Sequence, residues 1–216
     1  MLAIIDSTTP PGGHMRHEFS RDDLDPGGAY HLLTATVVPR PIAWICTRSA
    51  EGVDNIAPHS FYTVAAADPP VIQFTSIGEK DTLRNVRQTG EFVVCLTPTS
   101  LFHKINDTSI DFPASMSEFD EIGLTREPSS RVGPPRIAES PVAIECTLNR
   151  TIEIGNSVVV MGDVVLFSIE DRVLDLSAPR RPHPRIEDLQ PVARLGRNQW
   201  TTLGEILDEP RKKFGG

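Results

Sequence analysis

Cysteines, basic runs and long apolar runs are scarce in this sequence, and each scarcity removes a class of protein. The three cysteines, Cys46, Cys95 and Cys146, stand about fifty residues apart, each inside an apolar run. An odd, dispersed set builds neither a disulfide framework nor a zinc site. It reads as reduced core thiols of a cytoplasmic protein. No window approaches the ~20 apolar residues of a membrane-spanning helix. Met1 to Ile5 is too short, and lacks the basic flank, to read as a signal peptide. A formal charge of −8 with no basic run interleaved with aromatics argues against a nucleic-acid binder, because neutralising phosphates requires a basic surface. The motifs G-x-S-x-G, H-E-x-x-H, C-x-x-C, the Walker loop and G-x-G-x-x-G are all missing. Nucleophilic, zinc-hydrolase and Rossmann readings therefore have no support.

Proline and glycine are plentiful, with 19 and 15 in 216 residues. That density implies many turns and favours a β-rich fold over a helical bundle. The length fits one large domain or two small ones and can bury a core without staples.

The leader, 1–18, is polar and punctuated by Pro10-Pro11-Gly12-Gly13, and reads as surface-draped or disordered. Residues 19–216 read as a single domain. Ala29 to Thr36 suits a short helix. Pro39-Arg40-Pro41 then starts a strand, Ile42 to Arg48, whose alternation groups Ile42, Trp44 and Cys46. A turn at Ala50-Glu51-Gly52 leads into one strand over Asn55 to Val64. Further strands are expected over Val71 to Ile77, Glu91 to Leu96, Val142 to Ile152 and Val158 to Ile169. The last is apolar on both faces, which predicts burial on both, inside a barrel or against a partner subunit. Residues 98–139 read as an excursion from the sheet, with a helix near Ser100 to Asn106. Gln190 to Trp200 leads into an expected short C-terminal helix. Six or seven strands at hairpin spacing, with few helices, suggest a mainly β, closed barrel.

Val71 to Phe92 combines a strand, a turn and a helix. Asp81 or Thr82 is placed to cap a helix to Thr89, and Gly90 to end it. A helix N-terminus beside the Ser76 and Thr82 hydroxyls and the Lys80 ammonium suits a phosphate. An ordinary strand-turn-helix with a surface lysine explains the same residues. Elsewhere, His59 is a weak catalytic candidate, since a lone strand histidine is more often structural. Glu118, Asp120 and Glu121 read as a solvated acidic face. Arg194 is expected to pair with a carboxylate or phosphate. Trp44 reads as core, although a tryptophan beside a flavin has the same pattern.

Several motifs occur in one order: Pro39-Arg40-Pro41-Ile42-Ala43-Trp44, Asn55-Ile56-Ala57-Pro58-His59-Ser60-Phe61, Asp68-Pro69-Pro70 and Lys80-Asp81-Thr82-Leu83-Arg84-Asn85. Thr89-Gly90-Glu91-Phe92, Ser140-Pro141-Val142 and Arg194-Leu195-Gly196 complete the series. Together, over residues 19 to 203, they resemble the flavin reductase-like family, which includes flavoredoxin and relatives of the NAD(P)H:flavin oxidoreductases. The resemblance implies an FMN-binding split barrel, with FAD as the alternative flavin, dimerising with the flavin near the interface. It implies that Ser76, Lys80 and Thr82 hold the phosphate and that Asp81 caps the helix. Arg40, Pro41, Ile42, Ala43 and Trp44 would run along the ribityl chain or ring edge. Pro58, His59, Ser60 and Phe61 would offer backbone groups to the ring, with Arg194 also at the cofactor. Hydride would pass from NAD(P)H through the flavin to flavin or another small acceptor, and a partner oxygenase is left open. An electron carrier without NAD(P)H activity and a barrel that has lost its cofactor are the alternatives. Cys46, His59 and Arg197 depart from the family's usual residues, which bears on substrate more than on flavin binding.

Overall fold

The computed structural model describes residues 16–178 and 180–212. Most of the expected leader, 1–15, lies outside the described residues. The chain enters through α1 (Gly28–Thr36) and β1 (Arg40–Pro41), then β2 (Ala43–Arg48), β3 (Asp54–His59), β4 (Tyr62–Ala66) and β5 (Val71–Ile77). Helix α2 (Asp81–Thr89) and β6 (Glu91–Cys95) follow. The excursion carries α3 (Phe102–Asp107), α4 (Glu118–Ile122), β7 (Arg126–Glu127) and β8 (Arg136–Ile137). A long hairpin of β9 (Val142–Ile154) and β10 (Ser157–Ile169) returns the chain to the sheet. Short elements close it: β11 (Leu174–Asp175), β12 (His183–Pro184), α5 (Ile186–Leu189), β13 (Ala193–Arg194) and β14 (Trp200–Thr201).

Seven strands form one antiparallel sheet in the order β3-β2-β6-β9-β10-β5-β4. Its two edges, β3 and β4, are consecutive in the chain, with only Ser60 and Phe61 between them. Three Cα steps span at most ~11 Å, whereas a flat seven-stranded sheet would hold its edges ~29 Å apart. The sheet must therefore curl until its edges meet. At the corner the β4–β5 ladder gains one more bond, from the Thr75 N–H to the Phe61 carbonyl at 2.9 Å, and His59 of β3 reaches the Thr75 carbonyl at 3.4 Å. The single strand expected over Asn55 to Val64 is thus two strands, broken where the chain turns the corner.

Curling separates two cores. Ala43, Ile45, Ile72, Phe74, Phe92, Val94, Cys146, Val158 and Val160 pack together, joined by Leu83 and Val86 of α2. On the other face of β2, β3 and β6, Ile42, Trp44, Cys46, Ile56, Val93 and Cys95 pack under Ile105, Phe119, Leu124, Val132 and Ile137. The excursion is therefore the cover of the outer core, which is why β2 is buried on both faces. Glu145 of β9 ties this cover to the sheet: its fully buried carboxylate accepts from Arg136 and from the Ser130 and Arg131 N–H groups.

Two expectations are corrected. Within the single chain β10 is not buried along its whole length: Val158 and Val160 are buried, while Val165, at a bulge, and Phe167 are 43% and 58% exposed. The tail beyond β14 forms no helix among the described residues up to 212. Among the described residues, no helix is long and apolar enough to cross a membrane.

Candidate functional site

A cleft of about 380 Å³ opens at the seam of the sheet. Its walls are Asn55–Phe61 from β3 and the corner, Thr75–Thr82 less Gly78 from β5 and the turn, and Thr108–Phe112 from the loop after α3. Tyr30 of α1 and Glu118 of α4 complete it. The volume falls within the ~300–1,000 Å³ typical of small-ligand sites.

At one end the chain turns from β5 into α2 through Gly78, whose φ of +75° suits a residue without Cβ. Its N–H donates to the Asn156 carbonyl at 2.9 Å. The helix cap is Lys80, in extended conformation, with no side-chain cap. Asp81 is the first helical residue and pairs with Arg84, and Thr82 is buried, so neither caps as the sequence suggested. The Thr82 hydroxyl donates to Asn55 Oδ1 at 3.1 Å, and Ser76 donates to the Gly78 carbonyl at 3.0 Å. Each hydroxyl has one hydrogen and has turned it inward. What remains for an anion is the set of free N–H groups in the first turn of α2 and the Lys80 ammonium. Lys80 Nζ meets Asp111 Oδ1 at 2.6 Å across the mouth, both side chains largely exposed.

Glu118 forms the floor. It is buried, accepts from both Asn55 Nδ2 (3.0 Å to each oxygen) and from the Ile56 N–H at 2.8 Å. Burial pushes its carboxyl above the ordinary range, against those hydrogen bonds. This corrects the solvated-face reading, which holds for Asp120, exposed and paired with Arg126. Since Glu118 takes the Asn55 amide N–H groups, Asn55 Oδ1 is left facing Thr82. One carboxylate thereby joins α4, β3 and the start of α2. Sequence reasoning passed over Glu118, Asn55, Tyr30 and Asp111 as site residues. An acid beside Phe119 in a short amphipathic turn hints at Glu118, but nothing local distinguishes it from its acidic neighbours.

The opposite wall holds His59, Ser60 and Phe61. The His59 ring lies 4.9 Å from Phe74, and Nδ1 is 3.4 Å from the Thr75 carbonyl. A carbonyl only accepts, so Nδ1 carries the proton and Nε2 is a bare acceptor, buried without a partner. Burial lowers the imidazole pKa to about 4. Phe61 packs against Tyr30 with centroids 6.4 Å apart.

The cleft collects Pro58, His59, Ser60, Phe61, Ser76, Lys80, Asp81 and Thr82 of the residues expected from sequence. It does not collect Arg40 to Trp44. Ala43 and Trp44 have no exposed surface, and the Trp44 indole N–H donates to Thr108 Oγ1 at 2.9 Å, beneath the loop that lines the cleft. Pro41 and Ile42 line a second, apolar cleft of about 340 Å³. Arg40 is a buried strut, donating to the carbonyls of Thr34, Val37 and Leu195. Arg194 donates to the Arg197 carbonyl and stacks on Trp200 at 4.6 Å. The expected carboxylate partner of Arg194 is not found among the described residues.

The pattern that defines the Flavin reductase like domain matches residues 35–180. The chain belongs to the flavin reductase-like family. An uncharacterized protein of Aquifex aeolicus is 37% identical over 83% of this chain and 92% of its own length. Nitrilotriacetate monooxygenase component B from Bacillus cereus has a structure similar at TM-score 0.85 and 30% identity, covering 91% of this chain and all of that one. The 2-nitrobenzoate 2-nitroreductase NbaA of Pseudomonas fluorescens is similar at TM-score 0.84 and 27% identity, over 92% and 98% of the two chains. The mainly β fold is shared with a split-barrel protein from Shewanella frigidimarina at TM-score 0.81 and 20% identity, over 91% of this chain and all of that one. The site fits the family's cofactor chemistry: one end has a nine-residue helix aimed by its N-terminus, with a lysine, and the rest is wall.

Proposed function

We propose that this flavin reductase-like protein binds FMN in the seam cleft and passes hydride from NAD(P)H to flavin or another small acceptor. The observation that carries this is one cleft joining the N-terminus of α2 and Lys80 to the β3–β4 corner. The α2 N–H groups and Lys80 suit the phosphate, which would share the ammonium with Asp111. The inward-turned Ser76 and Thr82 hydroxyls hold the turn and the helix start in position. Pro58 to Phe61 supply backbone groups and an apolar wall for the ring. The bound flavin supplies the hydride chemistry, so the chain needs no catalytic triad of its own. The resemblance favours FMN over FAD.

The family's dimer, with the flavin near its interface, is part of this reading. So is release of reduced flavin to a partner oxygenase, which the Bacillus cereus component B likeness supports. Residues 19–216 are read as one domain, and the three buried, free cysteines suit the reducing cytoplasm.

Lys80→Ala is expected to weaken FMN roughly ten- to hundredfold, about 1.5–3 kcal/mol for a charge-assisted contact. Riboflavin, which lacks the phosphate, should bind both forms equally. A fluorescence titration giving unchanged FMN affinity would remove Lys80 from the site. Anaerobic mixing of the flavin-loaded protein with NADH or NADPH tests the reaction. Bleaching of the visible flavin band supports the reductase, and an unbleached flavin favours an electron carrier. Colourless protein that ignores added FMN would sink the flavin reading altogether.

A further inference from the structure

We propose that Arg194, backed by Arg40, is a binding point for a small anion, a carboxylate or a phosphate group, beside the Tyr30–Phe61 wall. The two arginines stand directly opposite one another where β1 pairs with β13. Opposite residues of an antiparallel pair project from the same face, and like charges so placed repel. Arg40 is only 7% exposed, yet its partners are all neutral: three carbonyls and, at 3.5 Å, the Ser60 hydroxyl. Arg194 is half-buried and has one carbonyl. Among the described residues, no carboxylate forms an ion pair with either. The chain has 29 acidic residues against 21 basic ones, so a partner was available in composition and is not used here. Buried charges are ordinarily paired. Two facing arginines without an acid leave the place of one to a ligand.

The chemistry of that ligand follows from the geometry. Trp200 holds Arg194 by a cation–π contact, with Cζ 4.6 Å from the ring centroid, and the Arg197 carbonyl takes one of its N–H groups. The remaining N–H groups of the planar guanidinium suit an oxyanion partner. Arg40 adds charge behind it without reaching solvent. Burial and the Arg40 charge also disfavour the charged form of Arg194, a cost that an anion would offset. Arg40 lies 6.0 Å from the Phe61 ring, and Tyr30 packs on that ring from the cleft side. The anion would thus sit at the margin of the cleft, where a second substrate meets the flavin. That last placement rests on the proposed flavin reading, and the anion site itself does not. The carboxylate of an aromatic acid acceptor and the phosphates of a pyridine nucleotide both present the anionic oxygens that such a site requires.

Trp200 reports on the site directly. The chain has two tryptophans, and Trp44 is sealed in the core, so an anion-dependent change in emission comes from Trp200. The full chain, with and without FMN, is titrated with benzoate and separately with inorganic pyrophosphate, at ionic strength held constant with chloride. A saturating change is expected with at least one, with its midpoint raised tenfold or more in Arg194→Ala and less in Arg194→Lys. Saturation by benzoate assigns a carboxylate ligand, and saturation by pyrophosphate a phosphate. No saturation with either, or an unchanged midpoint in Arg194→Ala, overturns the proposal. So does an Arg194→Ala protein that falls from dimer to monomer while the parent shows no anion response, since an acid of a second copy then fills the place. Failure of FMN to bind leaves this titration readable, so the two proposals fail separately.

Discussion

Burial against Phe74 and Thr75 leaves the His59 imidazole one carbonyl for a partner, and that sets its charge at neutral pH. The folded pKa is lowered from 6.5 to about 4, so the unfolded chain takes up the proton first. The stability contributed by neutral His59 is complete above about pH 6.5 and is lost as pH falls towards 4. The shift corresponds to at most about 3 kcal/mol. Urea midpoints should therefore fall more steeply between pH 7 and 5 for the parent than for His59→Phe. Parallel slopes would mean that His59 charges freely in the fold. The same burial explains why His59 makes a poor general base near neutrality. Its role is to fill the wall behind the cleft, which agrees with the proposed flavin reading.

At the scale of elements, the barrel interior is held by a close contact between β10 and β6. A Cβ on Gly162 would lie 2.3 Å from Cζ of Phe92 and 2.7 Å from its Cε1. The Phe92 ring has no exposed surface and meets Phe74 edge-on at 5.5 Å. Gly162→Ala is expected to destabilise by about 1–3 kcal/mol through overpacking. Phe92→Leu should partly rescue it, and a double-mutant cycle in urea checks the coupling. Additive effects would show that the ring moves aside freely. Such a contact is illegible in sequence, where Gly162 interrupts a valine-rich strand without naming its neighbour. Local patterns fared better where a signal sits within a few residues. Gly90 ends α2 at φ +73° as its position suggested, and alternation placed Ile42, Trp44 and Cys46 together. The corner at Ser60–Phe61 was missed because no glycine or turn dipeptide marks it within residues 55–64, and the break is imposed by closure of a distant seam. Burial of Glu118 was missed for a like reason: its partners, Asn55 and Ile56, lie about sixty residues earlier. The expected C-terminal helix fails because the tail has nothing to pack on, with Leu207 82% exposed, and a short helix is unstable without such burial.

The whole molecule leaves an apolar face uncovered at the far end of β10. Phe167 pairs across the hairpin with Ile144, which lines the second cleft together with Val142, Tyr62 and Val94. Val165 lies beside it at the bulge in β10 and is also exposed. An exposed aromatic continuous with an apolar cleft is the composition of an interface core. This is the same strand whose doubly apolar sequence pointed to burial in a barrel or against a partner; the single chain leaves its C-terminal end open. We expect the protein to be a homodimer that uses this face, burying on the order of 800 Å² per chain. Light scattering at micromolar concentration should give the mass of two chains. Phe167→Asp should give the mass of one with an unchanged circular dichroism spectrum, because the side chain is 58% exposed in the monomer. If flavin lies near the interface, the same variant should also bind FMN more weakly. A parent protein with the mass of one chain would remove the dimer. A Phe167→Asp protein that stays dimeric would move the interface elsewhere, and the exposed Ile152 and Ile154 at the other end of β9 would be the next surface to test.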